Sequence, residues 1–543
     1  MKKYTKIIAA IIAILLIAST VILTACNDKK TDPSSARSQE EQNVEQALEV
    51  PYDLSASSYD FSKEYFIDDY NVKHASFNVN VFDEEEETVV FETVTYEKLI
   101  GILESEGNYL FFLGGSWCHN TRAAAAYVNR YARQLGIKTI YNFDFYLDGT
   151  NSSSHVRVTN SNSTAPGVQY NYLYGELVTR YLTNLNDWVQ YVEGSNSDVD
   201  YNRPGESEAT IEAKLQVPFL FLYNKDNTVR NVPTKDDTLP AWHNQTGVHA
   251  EQGEENAKYP IVYGFEEMVD RDADGVYYSV NRQKTYDTEN YSLRVKKLFD
   301  YISEKNVELS YYTDADYVRE FYNKKSGKEI FKEGDRINIR VVTYRQLDWL
   351  LKQEGNALIL FGGTWCPNTQ AVIATINDYA VVNNLIVYNF DTKLDSGYAK
   401  KYWGYSGDVH IRDSANPFVK LYANLVETYL PNLVTLYDVD SDKSYQYISY
   451  TSGEDEVKVK KLQVPYLLAY NKDVKDENGV DPAPVVGYYE EMLTIADASA
   501  EDYVYQTDNY ARYKDGVYRV IQSYFDAEES DITARQIKVD RSK

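Results

Sequence analysis

The chain has 543 residues, 43% of them hydrophobic and 25% charged, a globular composition too long for one ordinary core, so two or more folded units are expected. Its formal charge is −27 and no stripe of Lys and Arg interrupts the acidity, which excludes nucleic acid as a partner because phosphate binding needs clustered cations. The six histidines and three cysteines show no zinc-like spacing, so neither a metal nor a cofactor is expected.

The first element is an apolar run. Lys2, Lys3 and Lys6 precede residues 7–16 and 18–23, and the segment closes on Leu23, Thr24, Ala25 and Cys26. This pattern resembles a bacterial lipoprotein signal. The resemblance implies that residues 1–25 are removed and that lipid on Cys26 holds the chain to the cell membrane, on its extracytoplasmic face. An uncleaved anchor or an ordinary secretory signal would also place the rest outside the cytoplasm. Residues 26–50 are polar and acidic and read as a flexible tether. The acidic run 83–87 reads as a solvated loop, and nothing later reaches the roughly 20 consecutive apolar residues that cross a bilayer.

From there the chain is a duplication. Residues 96–108 (YEKLIGILESEGN) parallel 344–356 (YRQLDWLLKQEGN), apolar at helical spacing with a Gly after each run. Residues 109–113 (YLFFL) and 357–361 (ALILF) are continuously apolar, as strands covered on both faces are. GGSWCHNT (114–121) and GGTWCPNT (362–369) follow. Helices are then predicted over 121–135 and 369–383, and strands over 137–144 (IKTIYNFD) and 385–391 (LIVYNFD). Two parallel crossovers and helix-covered sheets are implied.

Farther on, HVR (155–157) recurs as HIR (410–412), helical patterns cover 173–185 and 421–433, and KLQVP (214–218) recurs at 461–465 ahead of paired YNKD turns. Closing helices are predicted at 291–302 and 510–525. Residues 227–260 carry too few apolar side chains for a core and read as a surface loop.

A Trp and a Cys where a buried strand meets a helix resemble the active-site turn of the thioredoxin superfamily. The resemblance implies an α/β fold of two tandem thioredoxin-like domains, residues 51–305 and 306–543, each a central mixed sheet flanked by helices with a helical insertion before the Val-Pro step. It places Trp117, Val217 and Pro218 around Cys118, and Trp365, Val464 and Pro465 around Cys366, with both prolines cis. Two departures stand out. Thr121 and Thr369 occupy the place of the second cysteine, and the strand before each turn lacks the buried acid of thioredoxins.

A lone cysteine opening a helix still meets unpaired N–H groups that favour thiolate over thiol. Thr121 and Thr369 are positioned to donate a hydroxyl hydrogen bond to the sulfur, and His119 to add positive charge. His155 with Arg157, and His410 with Arg412, lie two apart in extended segments and could hold a carboxylate or assist a thiolate. Single-cysteine relatives form mixed disulfides that an external thiol releases. The expected activity is therefore monothiol exchange, of the thiol-disulfide oxidoreductase kind, on extracytoplasmic proteins or small thiols. The alternative is a non-catalytic binding or adaptor lipoprotein for a peptide, glycan or partner protein, its cysteines kept as small apolar helix starts.

Overall fold

The computed structural model describes residues 61–71, 80–82, 88–149, 152–162, 164–189, 197–238, 245–266, 293–435, 447–452, 455–490 and 507–528. The expectations for residues 1–25 and 26–50, Cys26 included, lie outside them, as do Pro240, Trp242 and His243 of the 227–260 segment. From Asp53 onward the chain forms one compact unit. Among the described residues no helix is long and apolar enough to cross a membrane.

In chain order the first half runs α1 (Phe61–Asn71), β1 (Phe91–Thr93), α2 (Tyr96–Glu104), β2 (Tyr109–Leu113), α3 (His119–Gln134) and β3 (Ile140–Phe143). Its insertion holds α4 (Tyr172–Tyr181) and the hairpin β4 (Asp198–Asn202) and β5 (Ala209–Ala213). It closes with β6 (Phe219–Tyr223), β7 (Arg230–Lys235), β8 (Gln245–Glu251), β9 (Ile261–Glu266) and α5 (Leu293–Glu304). The second half repeats this as α6 (Asp314–Ser326), β10 (Ile339–Val342), α7 (Tyr344–Lys352), β11 (Ala357–Phe361), α8 (Pro367–Val382) and β12 (Val387–Phe390). It continues with α9 (Val419–Tyr429), β13 (Tyr447–Ser452), β14 (Asp455–Lys460), β15 (Tyr466–Tyr470), β16 (Val485–Glu490) and α10 (Thr507–Glu528).

The result is mixed α/β, with two five-stranded sheets of identical order, β1-β3-β2-β6-β9 and β10-β12-β11-β15-β16. The first three strands of each are parallel and the last two antiparallel. Every residue of β2 and β11 is buried, because helices cover both faces. Thr95 and Thr343 cap α2 and α7 through their side chains, which sets the start of each helix where the β strand before it ends.

Three elements differ from the sequence reading. Residues 227–260 are not an irregular loop: β7 and β8 pair as a hairpin, in register Val232 opposite His249. Backbone pairing supplies the order that a missing apolar core does not, and Arg230 ties the hairpin to Asp187 while Lys297 of α5 donates to the Thr246 carbonyl. The insertions contain the hairpins β4–β5 and β13–β14 besides their helices, and those helices end at Leu182 and Leu430, where the backbone turns out of helical geometry. The repeat also begins earlier than residue 96. Asn71 at the end of α1 binds the backbone of Val81 and Phe82, and Asn323 in α6 binds Ile330 and Phe331 in the same way.

These equivalent helices make the halves reciprocal. α1 lies on β1 and reaches α7, with Arg345 Nε 3.1 Å from Asp69 and Trp349 Nε1 2.9 Å from Asp68. α6 lies on β10 and reaches α2, where Tyr317 donates to Glu97 at 2.8 Å and Lys325 pairs with the same carboxylate.

Candidate thiol sites

Each strand β2 and β11 delivers the chain into a turn whose cysteine caps the next helix. Cys118 and Cys366 have extended backbone angles and are buried, at 8% and 4% exposure, and both thiols are free. The turn closes locally: the Cys118 N–H donates to the Gly115 carbonyl and the Cys366 N–H to that of Gly363, both at 3.0 Å.

The second glycine of each turn has a steric cause. A Cβ on Gly115 would lie 2.0 Å from Asp144 Oδ2 and 2.4 Å from Trp117 Nε1; on Gly363 it would lie 2.3 Å from Asp391 Oδ2 and 2.4 Å from Trp365 Nε1. The glycine leaves room for a bond, because the Trp117 indole donates to Asp144 at 2.9 Å and Trp365 donates to Asp391 at 2.8 Å. Burial pushes both carboxyls up to about 7, against the indole and backbone N–H groups that pull them down. The strand before each turn does lack an acid, but the next strand supplies one: Asp144 and Asp391 directly follow β3 and β12. The signal was present twice, in the shared YNFD, and went unused because the pairing crosses between strands.

The Val217–Pro218 and Val464–Pro465 peptide bonds are cis. The Cys118 thiol donates to the Val217 carbonyl, and the Cys366 thiol to the Val464 carbonyl, each at a sulfur–oxygen distance of 3.5 Å. Thr121 and Thr369 do not reach the sulfurs. Their hydroxyls are buried without a hydrogen-bond partner, turned instead toward Gly114 and Gly362, which are bare enough to admit them.

The repeated His-x-Arg segments buttress the Val-Pro step. Arg157 donates through Nη1 to the Leu215 carbonyl and Arg412 to that of Leu462, so each guanidinium supports a backbone carbonyl just before the Val-Pro step. Insertion tyrosines grip the same residues: the Leu215 N–H donates to Tyr174 at 2.8 Å and the Leu462 N–H to Tyr422 at 2.9 Å. Arg157 is buried, and that burial pulls its guanidinium below the usual range, against the nearby Tyr174 first among the groups that favour its charge.

His155 and His410 sit beside Trp117 and Trp365, with ring centroids 6.0 and 5.7 Å apart. Burial, then the neighbouring arginine, pushes their imidazoles down to about 2 and about 3. They are neutral under ordinary conditions and bring no positive charge to the thiols. His119 is half-buried at the first helical position. The two sites differ over the indole: Tyr146 stacks on Trp117 at 3.9 Å and 4°, whereas Lys393 Nζ lies 3.9 Å above Trp365 and pairs with Asp408 at 2.7 Å.

No protein-family model matches the chain, and no curated protein matches it. Among solved structures it is similar to two crystal structures of ERdj5. Form II matches at 8% identity and a TM-score of 0.15, over 59% of this chain and 23% of that one. Form I matches at 9% identity and a TM-score of 0.13, over 79% and 30%. The chain thus spans less than a third of the length of the ERdj5 chains. The two mixed sheets with their helices fit a thioredoxin-like fold.

Proposed function

We propose that the chain carries two tandem thioredoxin-like domains, anchored outside the cytoplasm through lipid on Cys26, and exchanges thiols for disulfides with one nucleophile per domain. The observation that carries this reading is the twice-repeated geometry in which a free cysteine caps a helix and its thiol meets the carbonyl that precedes a cis proline.

In the proposed step the Cys118 or Cys366 thiolate attacks one sulfur of a disulfide in an extracytoplasmic protein or small thiol. A new S–S bond forms to the chain, the old one breaks, and the departing thiolate takes its proton from water. The chain offers no second cysteine at either turn, so an external thiol attacks the mixed disulfide, restores the cysteine and carries away the other half. Two electrons pass between the two partners and none is retained.

The test is mass spectrometry of the wild type and the Cys118→Ser, Cys366→Ser and doubly substituted chains after exposure to glutathione disulfide. Adducts on each cysteine, formed faster than on free cysteine and released by added thiol, support the reading. Rates no faster than free cysteine end it. One observation favours a non-catalytic binding role: both thiols are buried and spend their proton on a carbonyl. That role predicts slow thiols and ligand binding untouched by the serine changes.

A further inference from the structure

At the junction of the two halves lies a cleft of about 690 Å³, its open mouth included, which Gly115 and Ser116 of the first turn and Phe390 and Asp391 of the second half help to line. Its walls include Asp144 beneath Trp117 and Asp391 beneath Trp365, one carboxyl from each half.

The cations on the wall are already committed. Arg345 binds Asp69 at 3.1 Å and Asp348 at 3.2 Å, and Lys393 binds Asp408 at 2.7 Å while covering Trp365. Neither Asp144 nor Asp391 has an ion pair among the described residues. Their Oδ1 atoms accept from the indoles and from the N–H groups of Tyr146 and Lys393. Asp391 Oδ2 is buried and accepts from nothing. The Tyr70 hydroxyl, on a side chain only 1% exposed that also lines the cleft, is likewise without a partner.

Buried acceptors without donors are costly, and Asp391 and Tyr70 both line this cleft. An anion would be repelled by two carboxyls. A metal ion finds no set of three His, Cys, Asp or Glu side chains fit to hold it among the described residues. An organic cation satisfies both requirements, supplying N–H donors and positive charge, and the rings of Tyr65 and Tyr146 offer faces for its alkyl or ammonium parts.

We propose that this cleft binds a small organic cation whose ammonium or guanidinium N–H groups donate to Asp391 Oδ2 and to Asp144 across the junction of the halves. Tyr70 accepts a further N–H. The carboxyls that burial lifts to about 7 release their protons as the ligand's charge replaces them. Binding does not involve the sulfurs and goes beyond thiol exchange.

Isothermal titration of the full chain with 1,5-diaminopentane at pH 8, against 1,5-pentanediol of the same length without charge, tests this. The diamine is expected to bind saturably and the diol at least about tenfold more weakly. Asp391→Asn and Asp144→Asn are each expected to weaken the diamine by about tenfold or more with thermal melting no lower than that of the wild type, and Tyr70→Phe by less. If an Asn variant fails to fold, the diol comparison and Tyr70→Phe decide the matter. The Cys118→Ser, Cys366→Ser chain is expected to bind as the wild type does, which separates this proposal from the thiol chemistry. Equal binding of diol and diamine, binding that survives both Asn changes, or no saturable binding overturns it.

Discussion

The Trp117 indole N–H donates to the Asp144 carboxylate at 2.9 Å, tying the cysteine turn to the end of the neighbouring parallel strand. Trp365 and Asp391 repeat the bond at 2.8 Å. It accounts for three features of the duplicated motif together: the tryptophan, the glycine two residues before it, and the acid that ends YNFD.

Filling that glycine should therefore break the bond. Gly115→Ala and Gly363→Ala each force a methyl into the space of a carboxylate oxygen, and overpacking of this kind costs about 1–3 kcal/mol. Chemical denaturation should show the loss, and the fluorescence of Trp117 or Trp365 should shift as the indole is displaced. Gly247, whose Cβ would meet nothing within 4 Å, should tolerate alanine with unchanged fluorescence.

Stability should depend on pH through two opposed sets of groups. Asp144 and Asp391 rise from an ordinary 3.8 to about 7 on folding, so the folded state binds more protons between those values. Their contribution is present at low pH and is lost as pH rises through about 7. His155 and His410 fall from 6.5 to about 2 and about 3, so the unfolded state binds more protons there and stability is lost as pH falls below about 6.5. Because the windows overlap, the wild type should vary little between pH 4 and 6. Denaturation midpoints of Asp144→Asn, Asp391→Asn should decline less from pH 6 to 8, and those of His155→Gln, His410→Gln should rise from pH 6 to 4, where the aspartates are no longer opposed.

Arg157→Met removes the bond to the Leu215 carbonyl that fixes the Val-Pro step facing Cys118, so Cys118 should react faster with iodoacetamide as its thiol loses cover. Cys366 in the same molecule is the internal reference and should keep its rate. Arg157→Lys, which can still donate, should recover most of the wild-type rate. Peptide mapping by mass spectrometry reads both cysteines at once, and equal change at the two sites would point to a loosened fold instead.

The pair Glu97 and Lys325, both buried, joins the halves beneath the second turn, where Thr364 donates to Glu97 at 2.6 Å. Lys325→Met should cost about 3–5 kcal/mol by leaving a carboxylate buried without its cation. Adding Glu97→Gln should restore much of that, and denaturant midpoints of the two single variants and the double variant check it. Cys366 should become more reactive in Lys325→Met than Cys118, because only its turn rests on the pair.

What residues 80 to 120 and their copy say on their own is local. Continuous apolar runs, helical spacing and a glycine after each run made α2, β2, α3, β3 and their copies α7, β11, α8, β12 legible, since each depends on neighbours within a few positions. The insertions were read only as helices because the strands of β4–β5 and β13–β14 are short and pair only with each other, as two-stranded hairpins outside the main sheets.

The sequence by itself thus determined the duplication, the order of strand, turn and helix, and a single cysteine at each helix start. Tertiary structure alone decided what those cysteines face. Asp144 meets Trp117 across 27 positions, Arg157 meets the Leu215 carbonyl across 58, and Glu97 meets Thr364 across 267. Such pairings follow from which strands become neighbours and which helices dock, energies spread over the whole core, and no local pattern encodes them. For the same reason the hydroxyl of Thr121, well placed along the helix to reach a sulfur, turns to Gly114 instead.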